Sequence, residues 1–141
     1  MESFLPTSAM PFIRADFADE ETWKEIKRLV ARPNEQGYVA NVGYVEDRTL
    51  AGLDEAALVK RFPKVYPEEY YHPVVFVADA AAMSPPDYPI LVLNLNKRDD
   101  APPFRSVPRE IGSLEANLSL SNMDFYEFAR GAGADGVFRG F

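Results

Sequence analysis

Three segments of this sequence run from apolar residues straight into acid. Ile13-Arg14-Ala15-Asp16, Tyr44-Val45-Glu46-Asp47 and Phe76-Val77-Ala78-Asp79 all close on carboxylates, and Asn94 follows a fourth apolar run, Ile90–Leu93. If the first three are parallel strands, Asp16, Glu46, Asp47 and Asp79 converge on one rim of a sheet. Open α/β sheets bind ligands at such rims. Three or four clustered oxygens would also suit a hard cation such as magnesium. The same residue types have a commoner use, however: they end strands, make Asx turns and cap the helices that follow.

The other chemistry-bearing residues are sparse. His72 is the single histidine, set in Tyr70-Tyr71-His72-Pro73. A lone histidine needs a nucleophile and an orienting partner before it can act as a base, so a strand-edge or surface position is expected. No G-x-S-x-G elbow is present, which leaves hydrolase chemistry without an anchor. Gly131-Ala132-Gly133-Ala134-Asp135-Gly136 follows an apolar helix pattern and has no Gly-Lys-Ser/Thr after it, so it reads as a helix stop. A receiver-like reading of the strand-end aspartates fails because strand one offers no adjacent acidic pair. Only about ten residues separate Asp79 from the next strand, too few for an easy helical crossover. Tyr66, Tyr70 and Tyr71 could form an interaction patch, since tyrosine binds with little loss of entropy. Packing beneath a proline-punctuated loop is an equal alternative. Arg139, near the terminal carboxylate, is expected to form a local ion pair with it.

The elements that must position these residues follow from spacing. Met10–Ala15 predicts a strand. Asp19 then reads as an N-cap, and Trp23, Ile26, Leu29 and Val30 mark one apolar helix face before Pro33-Asn34. Tyr38–Val45 has apolar groups on both faces and predicts a central strand. Asp54 caps a second helix, with Leu53 and Leu58 as a hydrophobic staple. Val74–Ala78 and Ile90–Leu95 predict two strands covered on both faces, running either parallel or antiparallel. Phe104–Val107, between Pro103 and Pro108, suits an edge strand. Ile111, Leu114 and Leu118 share a helix face, and Asp124 with Glu127 forms a D-x-x-E capping box for a last helix. The expected fold is α/β bordering on α+β: one domain over residues 1–141, a mixed sheet of about five strands, helices on both faces.

Composition narrows the function classes. The chain has 141 residues, no cysteine and a net charge of −7. A disulfide framework, a thiol nucleophile and a Cys-based zinc site are therefore impossible. Negative charge spread along the chain repels nucleic acid and anionic membrane surfaces. Lys24, Lys27, Arg28 and Arg32 lie at helical spacing and read as a solvated face. The N-terminal residues lack the basic and apolar regions of a signal peptide, and no apolar run is long enough to span a bilayer, so a cytoplasmic location is expected.

A string near the C-terminus is distinctive: Asn117-Leu118-Ser119, then Ser121-Asn122-Met123-Asp124-Phe125-Tyr126-Glu127-Phe128-Ala129, then Asp135-Gly136-Val137-Phe138-Arg139-Gly140-Phe141. It resembles the close of a family of small bacterial proteins classed as a domain of unknown function. Shorter matches at Ile13–Phe17 and Val75–Asp79 extend the likeness over nearly the whole chain. The resemblance implies no activity, substrate or catalytic residue.

The expected function is thus a non-catalytic protein-binding or regulatory domain, immunity-like in having an acidic face for a basic protein. The candidate binding residues are Asp16, Glu46, Asp47, Asp79, Tyr70 and Tyr71, with no cofactor. One alternative is a metal-assisted enzyme or small-ligand binder built on Asp16, Asp47 and Asp79. Another is a homo-oligomer subunit joined through the Phe104–Val107 edge or the aromatic tail.

Overall fold

Alternation within the apolar strands sets the architecture of the chain. The computed structural model describes residues 9–61, 72–96 and 101–141. In strand β3, Val74–Ala78, the side chains of Val74, Phe76 and Ala78 join one core, and those of Val75 and Val77 join the other. Strand β4, Ile90–Asn94, divides in the same way, with Ile90 and Val92 on the first face and Leu91 and Leu93 on the second. A strand apolar on both sides must be covered on both sides.

The remaining elements supply that cover. Strands β1 (Met10–Arg14), β2 (Val42–Val45), β5 (Phe104–Ser106) and β6 (Val137–Phe138) complete a six-stranded mixed sheet in the order β2-β1-β3-β4-β5-β6. Helices α1 (Glu20–Val30), α3 (Ile111–Ser119) and α4 (Phe125–Gly131) pack on the first face through Trp23, Ile26, Val30, Ile111, Leu114, Leu118, Phe125 and Phe128. Leu50, from a 3₁₀ turn, and Leu58, from α2 (Glu55–Arg61), close the second face. Each large apolar side chain buried this way contributes about 1.5–3 kcal/mol relative to exposure.

The helix starts follow the sequence closely. Asp19 Oδ1 accepts from the Thr22 amide at 3.0 Å, and Asp54 Oδ1 from the Ala57 amide at 2.8 Å. Glu127 Oε2 accepts from the Asp124 amide at 2.8 Å, closing the capping box of α4. Leu53 and Leu58 meet in the second core as the staple required.

The sheet departs from expectation in three places. It has six strands rather than five, because two residues after the Asp135-Gly136 turn pair in parallel with β5. That pairing makes β5 internal, so Phe104–Val107 is not an edge and offers no free margin for self-association. Conversely, the strand expected to be central is the margin: β2 covers only Val42–Val45 and pairs with β1 alone. Tyr38 and Val39, which suggested two buried faces, are exposed in the lead-in. The β3–β4 pair is antiparallel, which a short connection with only a 3₁₀ turn at Ala81–Met83 permits. Among the described residues no helix is long and apolar enough to cross a membrane.

Candidate functional site

Strands β1, β2 and β3 run parallel, so Asp16, the Glu46-Asp47 pair and Asp79 stand past the same ends of the sheet. The rim has a layered construction. Arg14, the last residue of β1, points to the face covered by α1, where its guanidinium lies 4.5 Å from the Phe17 ring centre and 5.5 Å from that of Trp23. Its Nη1 donates to Glu20 Oε1 at 2.8 Å and to Glu46 Oε1 at 3.3 Å, and Lys27 Nζ approaches Glu46 Oε2 at 3.7 Å. The bond from Arg14 holds the Glu20 carboxyl below its ordinary range. One cation thus ties the ends of β1 and β2 to the first turn of α1.

The other rim carboxylates are used locally. Asp16 Oδ1 accepts from the Ala18 amide at 3.0 Å. Asp47 Oδ1 accepts from the Thr49 hydroxyl at 2.7 Å and the Thr49 amide at 2.9 Å, bonds that lower its pKa. Asp79 takes a two-pronged bond from Arg105 on β5, Nη1 to Oδ1 at 2.9 Å and Nη2 to Oδ2 at 2.8 Å, and also accepts from the Ala82 amide. Among the described residues, no group of three His, Cys, Asp or Glu side chains is placed to hold a metal ion. His72 is half-buried just ahead of β3. Tyr66, Tyr70 and Tyr71 lie outside the described residues.

A second feature opens where α1 ends. The 3₁₀ turn Pro108–Glu110 leads from β5 into α3 and packs against α1. Beside it are two adjacent lobes. One, of about 330 Å³, is lined by Leu29, Arg32, Asn34 and Pro86 among others; the second, of about 440 Å³, by Tyr38, Ser113, Asn117, Arg139 and Phe141. Glu35, Arg109 and Glu110 line both lobes and so stand at their junction.

The walls are held by particular contacts. Asn34 Oδ1 accepts from the Gln36 and Tyr38 amides at 3.0 and 2.9 Å, shaping the loop that presents Glu35 and Tyr38. Gly112 lets that loop approach α3, since a Cβ there would stand 3.2 Å from Tyr38 O and Ala40 N. Gly140, at φ +107°, brings the C-terminal backbone against the Glu110 carboxylate. Arg139 is not paired with the terminal carboxylate as expected: its Nη2 donates to Asp87 and Asp135, each at 2.7 Å. The turn after α4 has placed Asp135 one short loop away, and the turn ahead of β4 has placed Asp87 across from it. Those two bonds push the guanidinium pKa up. Burial pushes the Glu110 carboxyl above its ordinary value; Arg109 opposes that and Glu35 adds to it.

A family model for a domain of unknown function, DUF6924, matches residues 9–141. The chain belongs to this family. Comparison with curated proteins and with solved structures finds no significant match. The expected membership of a domain-of-unknown-function family therefore holds, and Asn117, Arg139, Gly140 and Phe141 line the larger lobe of this DUF6924 domain.

The rim acids were found from the sequence, but not the arginines that hold two of them, Glu46 and Asp79. The signal was present: Arg14 ends an otherwise apolar strand and Arg105 is the single charge in β5, and a charge there needs a partner. Glu110 carried a weaker signal, a carboxylate following Pro108 at the start of a helix, which reads first as ordinary helix-start chemistry.

Proposed function

We propose that this DUF6924 domain is a non-catalytic binding or regulatory module that meets a basic protein through its acidic rim, in the cytoplasm. The observation that carries the reading is one of depth. Arg14 is 3% exposed, while the side chains it ties together, Glu20 and Glu46, are 58% and 42% exposed. A molecule approaching this end of the sheet meets carboxylates first and their counter-charge behind them. Because the acids are fixed by bonds to Arg14, less side-chain freedom remains to be lost on docking. The overall charge of −7 acts in the same direction, and such complementarity speeds encounter more than it deepens affinity.

The test is affinity capture from the native host at low salt, with the full chain and a Glu20→Gln/Glu46→Gln variant side by side. A basic protein held by the unaltered chain, released at about 0.3 M salt as screening shortens the range of the field, and lost from the variant supports the reading. Replicate captures in which no protein distinguishes the two chains overturn it.

A further inference from the structure

We infer that the cleft beside Glu110 is a binding site for an alkylammonium group, carried by a small organic amine or by a lysine side chain. The Glu110 side chain is only 17% exposed, and among the described residues it accepts no hydrogen bond. Its nearest cation, Arg109 Nε, stands 3.8 Å away, beyond hydrogen-bond range, and Arg109 Nη2 is turned to the Arg139 carbonyl oxygen at 3.1 Å. With only that long ion pair behind it, the carboxylate is left open to a further donor from the cleft it lines. The group that satisfies it best is a charged N–H donor.

The surroundings favour a cation over an anion. Arg139, the other guanidinium at the larger lobe, already has two carboxylate partners, Asp87 and Asp135. Glu35 adds a second negative charge at the junction of the lobes. Tyr38 and Phe141 offer aromatic surface, 44% and 80% exposed, suited to the methylenes and positive charge of an alkylammonium. Ser113 Oγ and Asn117 Oδ1 can accept the remaining ammonium protons. About 440 Å³ is the size of ordinary small-ligand sites. None of these residues belongs to the rim bonded to Arg14, so the two proposals stand or fall separately.

The experiment is a titration of the isotope-labelled full chain, followed by amide chemical shifts. The probes are putrescine, N-acetyl-lysine methylamide, and propionate as the anionic control. Shifts centred on residues 110, 113 and 117 for either amine, saturating and weakened at least tenfold in Glu110→Gln, support the inference. Tighter binding of putrescine assigns a free amine; tighter binding of the blocked lysine assigns a protein side chain. Absence of amine shifts there, equal binding by the variant, or equal binding of propionate overturns it. Should Glu110→Gln fail to fold, the location of the shifts in the unaltered chain decides alone.

Discussion

The two ends of helix α1 meet charge in opposite ways. At its first turn, Arg14, Glu20, Glu46 and Lys27 satisfy one another, and every rim carboxylate has a donor. Past its last turn, Glu110 is more deeply set than Glu20, Glu46 or Asp79, yet among the described residues it accepts no hydrogen bond and has only the Arg109 ion pair at 3.8 Å. Bonded charge of the first kind stabilises a fold. Charge of the second kind, set deep with only a long ion pair, contributes less to the fold and is open to a contact from outside it. The rim carboxylates therefore hold the domain together whatever else they contact, whereas the cleft is where structure has been given up.

The comparison breaks first at Arg14. Its replacement by alanine removes two ion pairs, a donor to the Asp16 carbonyl oxygen and the stacking on Phe17. A loss of about 2–4 kcal/mol is expected, read by urea unfolding; a loss below about 1 kcal/mol would make the rim as idle structurally as the cleft. Next comes the Asp79–Arg105 pair, which is part-buried and two-pronged. Asp79→Ala is expected to cost about 1–3 kcal/mol, and a double-mutant cycle with Arg105→Ala should show coupling of about 1 kcal/mol.

The smallest effect has the opposite sign. Glu110 has a raised pKa in the folded chain, so the folded state binds its proton more tightly than the unfolded state does. Below the unfolded value, near 4.5, the carboxyl is protonated in both states and burial costs nothing. As pH rises through the folded value the penalty appears in full. Glu110→Gln should therefore raise Tm slightly at pH 7 and leave it unchanged near pH 4, with Glu35 and Arg109 the charged groups that modulate the size of the gain. A fall in Tm at pH 7 would mean that the carboxylate is structural after all.

How much of this was legible in the sequence depends on the range of the interaction. The helix caps at Asp19, Asp54 and Asp124 were readable because cap and amide lie within three residues. The β3 and β4 runs were readable because a strand buried on both faces is apolar at nearly every position. The margin was misjudged because pairing partners are distant: nothing within Tyr38–Val45 says that only β1 lies beside it, and nothing within Phe104–Val107 reveals the two residues near the C-terminus that cover it. The rim acids were found by their position at strand ends. Glu110 was not, because its meaning lies in donors it lacks, and a missing contact leaves no pattern in the sequence.

The mixed sheet described above also has a consequence in time. Only β3, β4 and β5 are joined by antiparallel neighbours close in sequence. The β1–β3 and β5–β6 pairs are parallel and close long loops across the chain. Loop closure carries its entropic cost before any contact offsets it. The central meander is then the part that forms early, and both candidate sites belong to the margins added around it. The rim waits on β1 meeting β3, and the cleft waits on the last strand finding β5. Each function proposed for this chain thus depends on the slowest-forming contacts of its own side of the sheet.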